Sequence, residues 1–349
     1  MPEGKKPIAP EIIRRGPSLA AIAAEAGVGT ATVDRVLNGR EGVRETTRKK
    51  VLKALDALQS NEAKLRAENA THFKVAFLSD SGKSFRETLE AAVWETVRQR
   101  PNIEAVYDGY DTSKFDAVRY ANMIERTAND AQAIIIVSRE DLTVNRAIRN
   151  VVSRGVPVIC LTTDLPTSGR TVYVGNDQAS AGATAAYLMG KAVGNQSGKI
   201  LLVYSASYRV QEERELGFRR VLRTEFPNLH VEERVNSIDE TEFIYPVVKR
   251  YIEEHGTPAG IYNVAAGNVG IGRALIETEL AGKTIFIVHE LNANSRMLLE
   301  TGVMNFAIGH DVQIEVDIAL NCAIQAVGRK PVMPPAFTRT RIYTKYNCN

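Results

Sequence analysis

The sequence AAIAAEAGVGTATVDRVLNGREGVRETTRKKV, residues 20–51, predicts three short helices, because its apolar residues repeat at helical spacing in three groups. Gly27 and Gly39 lie between the groups, as turn residues do. The three apolar faces are Leu19, Ile22, Ala23 and Ala26, then Val33, Val36 and Leu37, then Val51, Leu55 and Leu58. A helix, a glycine-containing turn and a short second helix are typical of the helix-turn-helix arrangement.

The second of these helices presents small and hydrogen-bonding side chains on its outer face, namely Thr30, Ala31, Thr32, Asp34 and Arg35. In a helix-turn-helix the second helix enters the major groove, where such side chains reach base edges. Residues 1–72 carry 13 Lys and Arg against 9 Asp and Glu, whereas the remaining 31 and 32 nearly balance. This local positive excess favours an anionic partner. The alternative interpretation is a small helical bundle with a solvated polar face.

The rest of the chain differs, because nine short β-rich runs, from KVAFLS at 74–79 to NFAIGH at 305–310, alternate with amphipathic helical stretches. Apolar strands that alternate with helices predict parallel sheets covered on both faces, and nine runs predict two lobes. The expected divisions are an arm at 1–16, a helix-turn-helix domain at 17–58, a hinge at 59–72, a two-lobed body at 73–333 and a surface tail at 334–349. The expected crossings between the lobes lie near 163–175, 289–293 and 304–310.

Motifs of cofactor, metal and catalytic sites are missing from the sequence. The glycines of AGNVGIGRALIE, from Ala266, are spaced G-x-x-G-x-G, unlike a dinucleotide fingerprint. The five histidines lack metal-ligand spacing, and no G-x-S-x-G motif occurs. We therefore expect no cofactor, no metal and no enzymatic activity. Three cysteines without C-x-x-C spacing, and an N-terminus without an apolar leader, favour the reducing cytoplasm.

Residues 18–58 resemble the DNA-binding headpiece of the lac repressor and galactose repressor family of bacterial regulators. The resemblance rests on Ala-Gly-Val, Thr-Val-x-Arg-Val-x-Asn and Thr-Arg-x-x-Val, which align without a gap. The rest of the chain is more loosely similar to a type I periplasmic sugar-binding protein. The implied fold is multidomain, with a three-helix helix-turn-helix headpiece ahead of an α/β body of two Rossmann-like lobes, each with a parallel sheet.

This resemblance implies DNA-binding roles for residues that match the family pattern. The base-reading positions of the recognition helix are occupied by Thr30, Ala31 and Arg35, with Thr32 beside them. The positions that contact the DNA backbone are occupied by Ser18, Asn38 and Thr47. Arg35 has the two parallel donors that recognise a guanine edge, whereas backbone contacts fix the register without reading sequence.

The sequence departs from that pattern at Asp34, at Arg44 and in the hinge, which looks shorter than in the family and lacks proline. Asp34 stands where the family usually has Ser, and its carboxylate repels DNA unless it pairs with Arg35 or accepts a hydrogen bond from cytosine. Leu65 aligns with a hinge leucine that wedges into the minor groove, but only if a gap is placed in the hinge. The alternative for Leu65 is packing against the body.

The resemblance also implies a small effector bound between the lobes. Arg214, in YRVQEERELGF, takes the position of an effector-binding arginine suited to vicinal hydroxyls or a carboxylate, the alternative being a solvated helix face. Phe85 takes the position of an aromatic residue that stacks on sugar rings, the alternative being core packing. The remaining candidates follow strand ends that face the same cleft, and they are Asp164, Asn268, Glu290 and His310.

Together these features predict a transcriptional regulator, of the repressor type, that binds double-stranded DNA in the cytoplasm and joins the nucleoid at its operator. We expect a homodimer on a palindromic operator, with a sugar or polyol effector that changes lobe closure and the spacing of the headpieces. Three alternatives stay open: the same regulator with a nucleobase effector, a sugar-binding transport protein without a DNA role, and an enzyme on the same body.

Overall fold

The computed structural model describes residues 18–40, 42–68 and 72–348, without the side chains of 59–68 and 233. The chain divides into two compact units, Met1–His72 and Phe73–Asn349. No helix in the described ranges combines the length and the apolar character needed to cross a membrane. Each unit is described by itself below.

The described residues of the first unit form three helices, α1 (Leu19–Ala26), α2 (Thr30–Leu37) and α3 (Glu45–Glu68). The Oγ of Ser18 caps α1 by accepting a hydrogen bond from the Ala21 amide at 3.2 Å. Gly27 ends α1 with a φ of 64°, a left-handed conformation that glycine adopts without strain. The core consists of Ile22, Ala23, Val33, Val36, Leu37, Val51 and Ala54. The predicted three-helix unit is therefore confirmed, and α3 also includes residues 59–68 of the predicted hinge.

The first lobe of the body is built on a five-stranded parallel sheet with the strand order β2-β1-β3-β4-β5. The strands are β1 (Phe73–Ser81), β2 (Ile103–Asp111), β3 (Ala133–Val137), β4 (Val158–Leu161) and β5 (Val172–Val174). The connecting helices are α4 (Lys83–Arg98), α5 (Ala117–Asp130) and α6 (Leu142–Ser153). Apolar side chains on both faces of the sheet are buried, as the continuous apolar runs of its strands require.

The second lobe is built on a six-stranded sheet with the order β11-β10-β9-β8-β6-β7, parallel except for β11. Its strands are β6 (Gly198–Tyr204), β7 (Leu229–Asn236), β8 (Gly260–Asn263), β9 (Ile285–His289), β10 (Phe306–Gly309) and β11 (Arg341–Tyr343). Its helices are α7 (Gln178–Val193), α8 (Arg209–Glu225), α9 (Thr241–His255), α10 (Asn268–Glu277) and α11 (Ala293–Glu300). The predicted two-sheet α/β body is confirmed.

The chain crosses between the lobes in three places. The first crossing follows β5 at residues 175–177, and the second follows β10 at 310–311, close to two of the predicted positions. After it, α12 (Val312–Val327) packs on the first sheet, and residues 328–340 return to the second sheet as the third crossing. Thr338 of this third crossing pairs with Asn176 of the first.

Two predictions about this connectivity were wrong. The chain does not cross near 289–293, because β9 and β10 pair side by side in the second sheet with α11 between them. Residues 334–349 are not a surface tail, because β11 pairs with the edge of β10 and Cys348 is fully buried in the core of the second lobe. The prolines of this segment suggested that it is exposed, but β11 pairs with the otherwise open edge of β10 and so places the segment in the sheet.

Candidate functional site

The outer face of α2 carries the residues predicted to contact DNA. Thr30, Ala31 and Arg35 are exposed, whereas Thr32 is half-buried. The opposite face is anchored by the buried Val33, so the exposed residues share one side of the helix. At the helix ends around α2, Ser18 and Asn38 are exposed and Thr47 is half-buried. Leu65 lies in the part of α3 whose side chains are outside the described residues.

Asp34 forms a cluster at the end of α2 that differs from both pairings considered for it. Its carboxylate accepts a hydrogen bond from Asn38 Nδ2 at 2.8 Å and forms an ion pair with Arg40 Nη1 at 3.2 Å. Asn38 Nδ2 also donates to the Asp34 carbonyl at 3.0 Å, so both of its protons are engaged. The Arg35 side chain makes no hydrogen bond or ion pair within the described part of the chain, and its backbone carbonyl accepts a hydrogen bond from the Arg40 amide at 2.8 Å. The guanidinium of Arg35 therefore stays available on the outer face, while Arg40 balances the charge of Asp34.

A cavity of about 1390 Å³ lies between the two lobes of the body. Five of the six predicted effector residues line it, namely Phe85, Arg214, Asn268, Glu290 and His310. Asp164 does not line it, because its carboxylate binds Arg170 Nη2 at 2.7 Å beyond the end of β4. The assignment of Asp164 to the cleft was therefore wrong, because its carboxylate is bound by Arg170, six residues along the chain, outside the cavity.

Arg214 is buried in the cleft rather than solvated on the surface of α8, with only 4% of its area exposed. Its Nε donates to Gln178 Oε1 at 2.8 Å, and its Nη2 donates to Glu290 Oε1 at 3.0 Å. Two glycines allow α7 and α8 to approach closely enough for this arrangement. A Cβ on Gly182 would lie 1.9 Å from the Arg214 carbonyl oxygen, and one on Gly217 would lie 2.0 Å from a backbone oxygen of α7.

Glu290 and His310 continue this charged network. His310 Nε2 lies 3.2 Å from Glu290 Oε1, and its Nδ1 lies 2.8 Å from Glu315 Oε1, which are ion-pair distances although neither N–H is aligned for a regular hydrogen bond. Burial opposes the charge of His310, but the two carboxylates outweigh it and raise its pKa to about 10. Burial also opposes the charge of Glu290, but His310 and Arg214 outweigh it and lower its pKa to about 2. Glu290 and His310 are therefore both charged at neutral pH.

Phe85 and Asn268 occupy opposite lobes of the cavity. Phe85 lies in the first turn of α4, where it lines the cavity and also packs against the apolar core of the first lobe, so both roles considered for it are compatible. Asn268 begins α10, and its Oδ1 accepts a hydrogen bond from Asn263 Nδ2 at 2.6 Å. Its amide nitrogen stays available as a donor to a bound molecule.

Sequence reasoning missed four residues of this site: Gln178, Tyr208, Asp239 and Glu315. Gln178 fixes Arg214, and Tyr208, from the start of α8, donates to the Asp80 carbonyl in the first lobe at 3.2 Å. Burial raises the pKa of the Asp239 carboxyl, which accepts a hydrogen bond from the Ala266 amide at 2.9 Å. All four lie in a loop that follows a strand or in the first turn of the next helix. An inspection of the polar residues of every such segment, and not only of positions that match the family, would have found them.

Direct contacts across the cleft bring the two lobes together. Besides the Tyr208 contact, Asn292 Nδ2 from the second lobe donates to Ser84 Oγ at the start of α4 at 2.9 Å. Thr112 Oγ1 and the Tyr208 hydroxyl are 2.6 Å apart. All four of these side chains line the cavity, so the two lobes are in direct contact at its wall.

Comparison with known proteins assigns both units. Residues 75–331 match the family described as periplasmic binding protein domain, and residues 18–59 match the bacterial regulatory proteins of the lacI family. Residues 18–59 thus form a lacI-family helix-turn-helix domain. Similar regulators include MalR of Streptomyces coelicolor, 68% identical over 40 residues, and catabolite control protein A of Streptococcus mutans, 60% identical over 37 residues. These matches cover 12% and 11% of this chain and the same shares of the two relatives.

Solved structures resemble the body. One is a solute-binding protein of Burkholderia graminis in complex with D-arabinose, with a TM-score of 0.74, 20% identity, and coverage of 80% of this chain and 97% of that one. Another is the glucose-galactose binding protein GanP of Geobacillus stearothermophilus, with a TM-score of 0.72, 16% identity, and coverage of 80% and 99%. At these identities the likeness establishes the fold.

Proposed function

The chain belongs to the family of periplasmic binding protein domains, and we propose that it is a sequence-specific DNA-binding regulator of transcription whose effector, a sugar or polyol, binds between the lobes. The observation that carries the proposal is the covalent union of a lacI-family helix-turn-helix domain with a body whose cleft holds a buried, charged, hydrogen-bonding network. The headpiece supplies DNA binding, and the cleft supplies the response to a metabolite.

A neutral polyhydroxy effector suits the charge of this cleft. Arg214 already binds the Glu290 carboxylate, so a carboxylate or phosphate entering the cleft would compete with a fixed anion. Both Arg214 and His310 contact the same Glu290 oxygen, Oε1, which leaves Oε2 as an acceptor for a hydroxyl proton. Adjacent hydroxyls can therefore donate to Glu290 and accept from Arg214 or Asn268. The sugars bound to the similar solute-binding proteins, D-arabinose among them, support this class of effector.

The proposed regulator acts as a homodimer of the repressor type. Two headpieces on one dimer match two half-sites about one helical turn apart, which accounts for a palindromic operator. Effector binding favours one arrangement of the lobes and so changes the spacing of the headpieces, which couples the two sites. Its place of action is the cytoplasm, at the nucleoid.

A thermal-shift screen tests the effector class. The full chain is mixed with D-arabinose, D-allose, D-fucose, their phosphates, polyols and purines. A neutral sugar at about 100 times its Kd stabilises the body by about 2.7 kcal/mol, whereas the phosphate of the same sugar has little effect. Stabilisation by sugar phosphates or purines alone would contradict the assignment of a neutral ligand.

A selection of bound duplexes from a random pool tests the DNA role. We expect a palindromic site whose affinity falls steeply with salt, since phosphate contacts dominate such binding. Arg35→Ala costs about 1–3 kcal/mol at one position of each half-site and relaxes base preference there. Arg40→Ala is the matched control, because Arg40 carries the same charge just beyond the end of α2, and its loss weakens binding to all duplexes alike. Enrichment of no site by the full chain would refute the regulator.

Asp34 gives a second test of the same surface. Asp34→Ser removes a negative charge and frees Asn38 and Arg40 to contact phosphates, so binding to all duplexes becomes tighter and the dependence of log affinity on log salt becomes steeper by about 1. The measurement is operator affinity at several salt concentrations. An unchanged slope would mean that neither released residue reaches the DNA backbone.

A further inference from the structure

Glu315 is a buried carboxylate that the sequence analysis did not assign to any role. It lies in the first turn of α12, in the first lobe, and it is fully buried. Thr162 Oγ1, just beyond β4, donates to its Oε2 at 3.2 Å, and Thr338 Oγ1, in the third crossing, donates to its Oε1 at 2.5 Å. His310, in the second crossing, forms an ion pair with the same Oε1. One carboxylate thus binds two of the three crossings.

The first crossing joins this arrangement through Asn176. Asn176 pairs with Thr338 through the backbone, and its side-chain nitrogen donates to Thr340 Oγ1 at 3.3 Å. Gln178, two residues later, accepts from Arg214 and donates to the Thr162 carbonyl at 3.2 Å. The segments that connect the lobes are therefore held to one another and to the effector arginine by buried polar contacts.

His310 is bound by one carboxylate from each lobe. Glu290 follows β9 of the second lobe, whereas Glu315 belongs to α12, which packs on the first sheet. The charges alternate along the network from Arg214 through Glu290 and His310 to Glu315, so each buried charge has an opposite neighbour. Removal of an inner member, Glu290 or His310, leaves the end group next to it, Arg214 or Glu315, buried without a charged partner, which is costly in a dry interior.

Two residues of this region adopt a backbone conformation that side chains disfavour. Thr162 has a φ of 62° and Glu290 has a φ of 68°. A β-branched residue rarely adopts a positive φ and keeps it only when its surroundings hold it there. Thr162 is held by its contacts with Glu315, Gln178 and the backbone of β5. The strained residues therefore lie outside the three crossings, but they contact Glu315 and His310, which link the crossings to one another.

We propose that Glu315 is a positioning residue that joins the two lobes through His310 and, by way of Glu290, fixes the orientation of Arg214 in the cleft. The proposal rests on the proposed role of Arg214 in effector binding only for its last step. Its consequence is that the lobes cannot rotate about the crossings without changing the surroundings of the effector arginine, which is the coupling that a regulator requires.

The charge of His310 gives the first readout, because a purely steric role of Glu315 would not change it. The charged and titratable groups near His310 are Glu290 and Glu315 in direct contact, Arg214 beyond Glu290, and His289, whose own pKa burial holds well below its usual range. We expect the His310 imidazole of the full chain, followed by nitrogen chemical shifts and assigned from its loss in His310→Gln, to stay protonated through pH 9. Glu315→Gln lowers its pKa by about 1–3 pH units.

The relative position of the lobes gives the second readout. Spin labels at Leu142 in the first lobe and Leu216 in the second, both well exposed, report the distance between the lobes in the full chain without effector or DNA. Glu315→Gln broadens this distance distribution. Asp317 lies on the same helix as Glu315 and forms a half-buried ion pair with Arg100. Asp317→Asn removes this carboxylate and leaves both the distribution and the His310 titration unchanged.

Either of two results would overturn the proposal: a wild-type His310 that titrates between pH 6 and 8, or a Glu315→Gln distance distribution identical to that of the wild type. Poor folding of Glu315→Gln would not remove the test, because the wild-type titration needs no variant. Neither readout depends on an effector or an operator, so a failure here is distinguishable from a failure of the proposed function.

Discussion

Replacement of Arg214 by Met tests whether this arginine belongs to the buried network of the cleft. The change keeps an unbranched apolar stem and removes the guanidinium, which leaves the half-buried Glu290 beside His310 alone and Gln178 Oε1 without its donor. Loss of one partner of a buried ion pair costs about 3–5 kcal/mol. For a unit of this size, 1 kcal/mol changes the Tm by about 2–4 °C, so we expect the Tm of the body to fall by about 6–20 °C.

The assay is thermal unfolding of the full chain followed by calorimetry at neutral pH without effector. Arg209→Met is the matched control, because Arg209 pairs with Glu213 on the surface of the same helix at 2.7 Å. An exposed pair of this kind contributes about 0.2–1 kcal/mol, so the control lowers the Tm by only a few degrees. The double variant Arg214→Met/Glu290→Gln should lose less stability than the sum of the losses in the two single variants, because it removes both charges of the ion pair and leaves neither without its partner.

Equal changes in Tm for Arg214→Met and Arg209→Met would refute the reasoning. That result would mean that Arg214 is hydrated in solution, and the assignment of the effector site would lose its central residue. Additivity in the double variant would mean instead that Arg214 and Glu290 are stabilised by separate contacts.

Two further predictions concern pH and packing. The folded-state pKa of His310 is raised to about 10, so the stability that its charge contributes is complete below pH 6.5 and is lost as the pH rises towards 10. The folded-state pKa of Glu290 is lowered to about 2, so the stability that its charge contributes is complete above pH 4.5 and is lost as the pH falls towards 2. Urea unfolding of the body between pH 5 and 10 should therefore show a declining free energy of unfolding above neutral pH, and a constant or rising value would contradict the charged state of His310. Gly182→Ala should lower the free energy of unfolding by at least about 1–3 kcal/mol, because its Cβ would meet the backbone of Arg214 at 1.9 Å; a urea midpoint equal to that of the wild type would show that α7 and α8 lie further apart.

The short-range patterns of the sequence were sufficient for the two kinds of unit. The headpiece helices follow from apolar spacing within eight or so residues and from local turns such as Gly27, and the alternation of strands and helices follows from runs of similar length. In SFRETLEAAVWETV, residues 84–97, the four-residue spacing of Phe85, Leu89, Val93 and Val97 places them on one helical face. In α4, Leu89 and Val93 are buried, and Phe85 and Val97 pack beside them. In these cases the period of the secondary structure alone decides which side chains face the core.

The tertiary structure decided which charged residues meet. Arg214 finds Gln178 and Glu290 at separations of 36 and 76 residues, and Glu315 finds Thr162 at a separation of 153. For Asp164 a local partner was decisive. Its position after a strand had predicted a place in the cleft, but its carboxylate binds Arg170, six residues along the chain, outside the cleft.

The sequence by itself thus determined a helix-turn-helix unit followed by a two-lobed α/β body, and the resemblance of its motifs selected Arg214 for the cleft. Only the tertiary structure decided the third crossing, the pairing of β11 with β10, and the place of Glu315 between the lobes. The physical reason is that helices and strands are specified by neighbours within a few residues, whereas the environment of a buried charge is specified by whichever distant segments the fold brings to within about 3 Å of it.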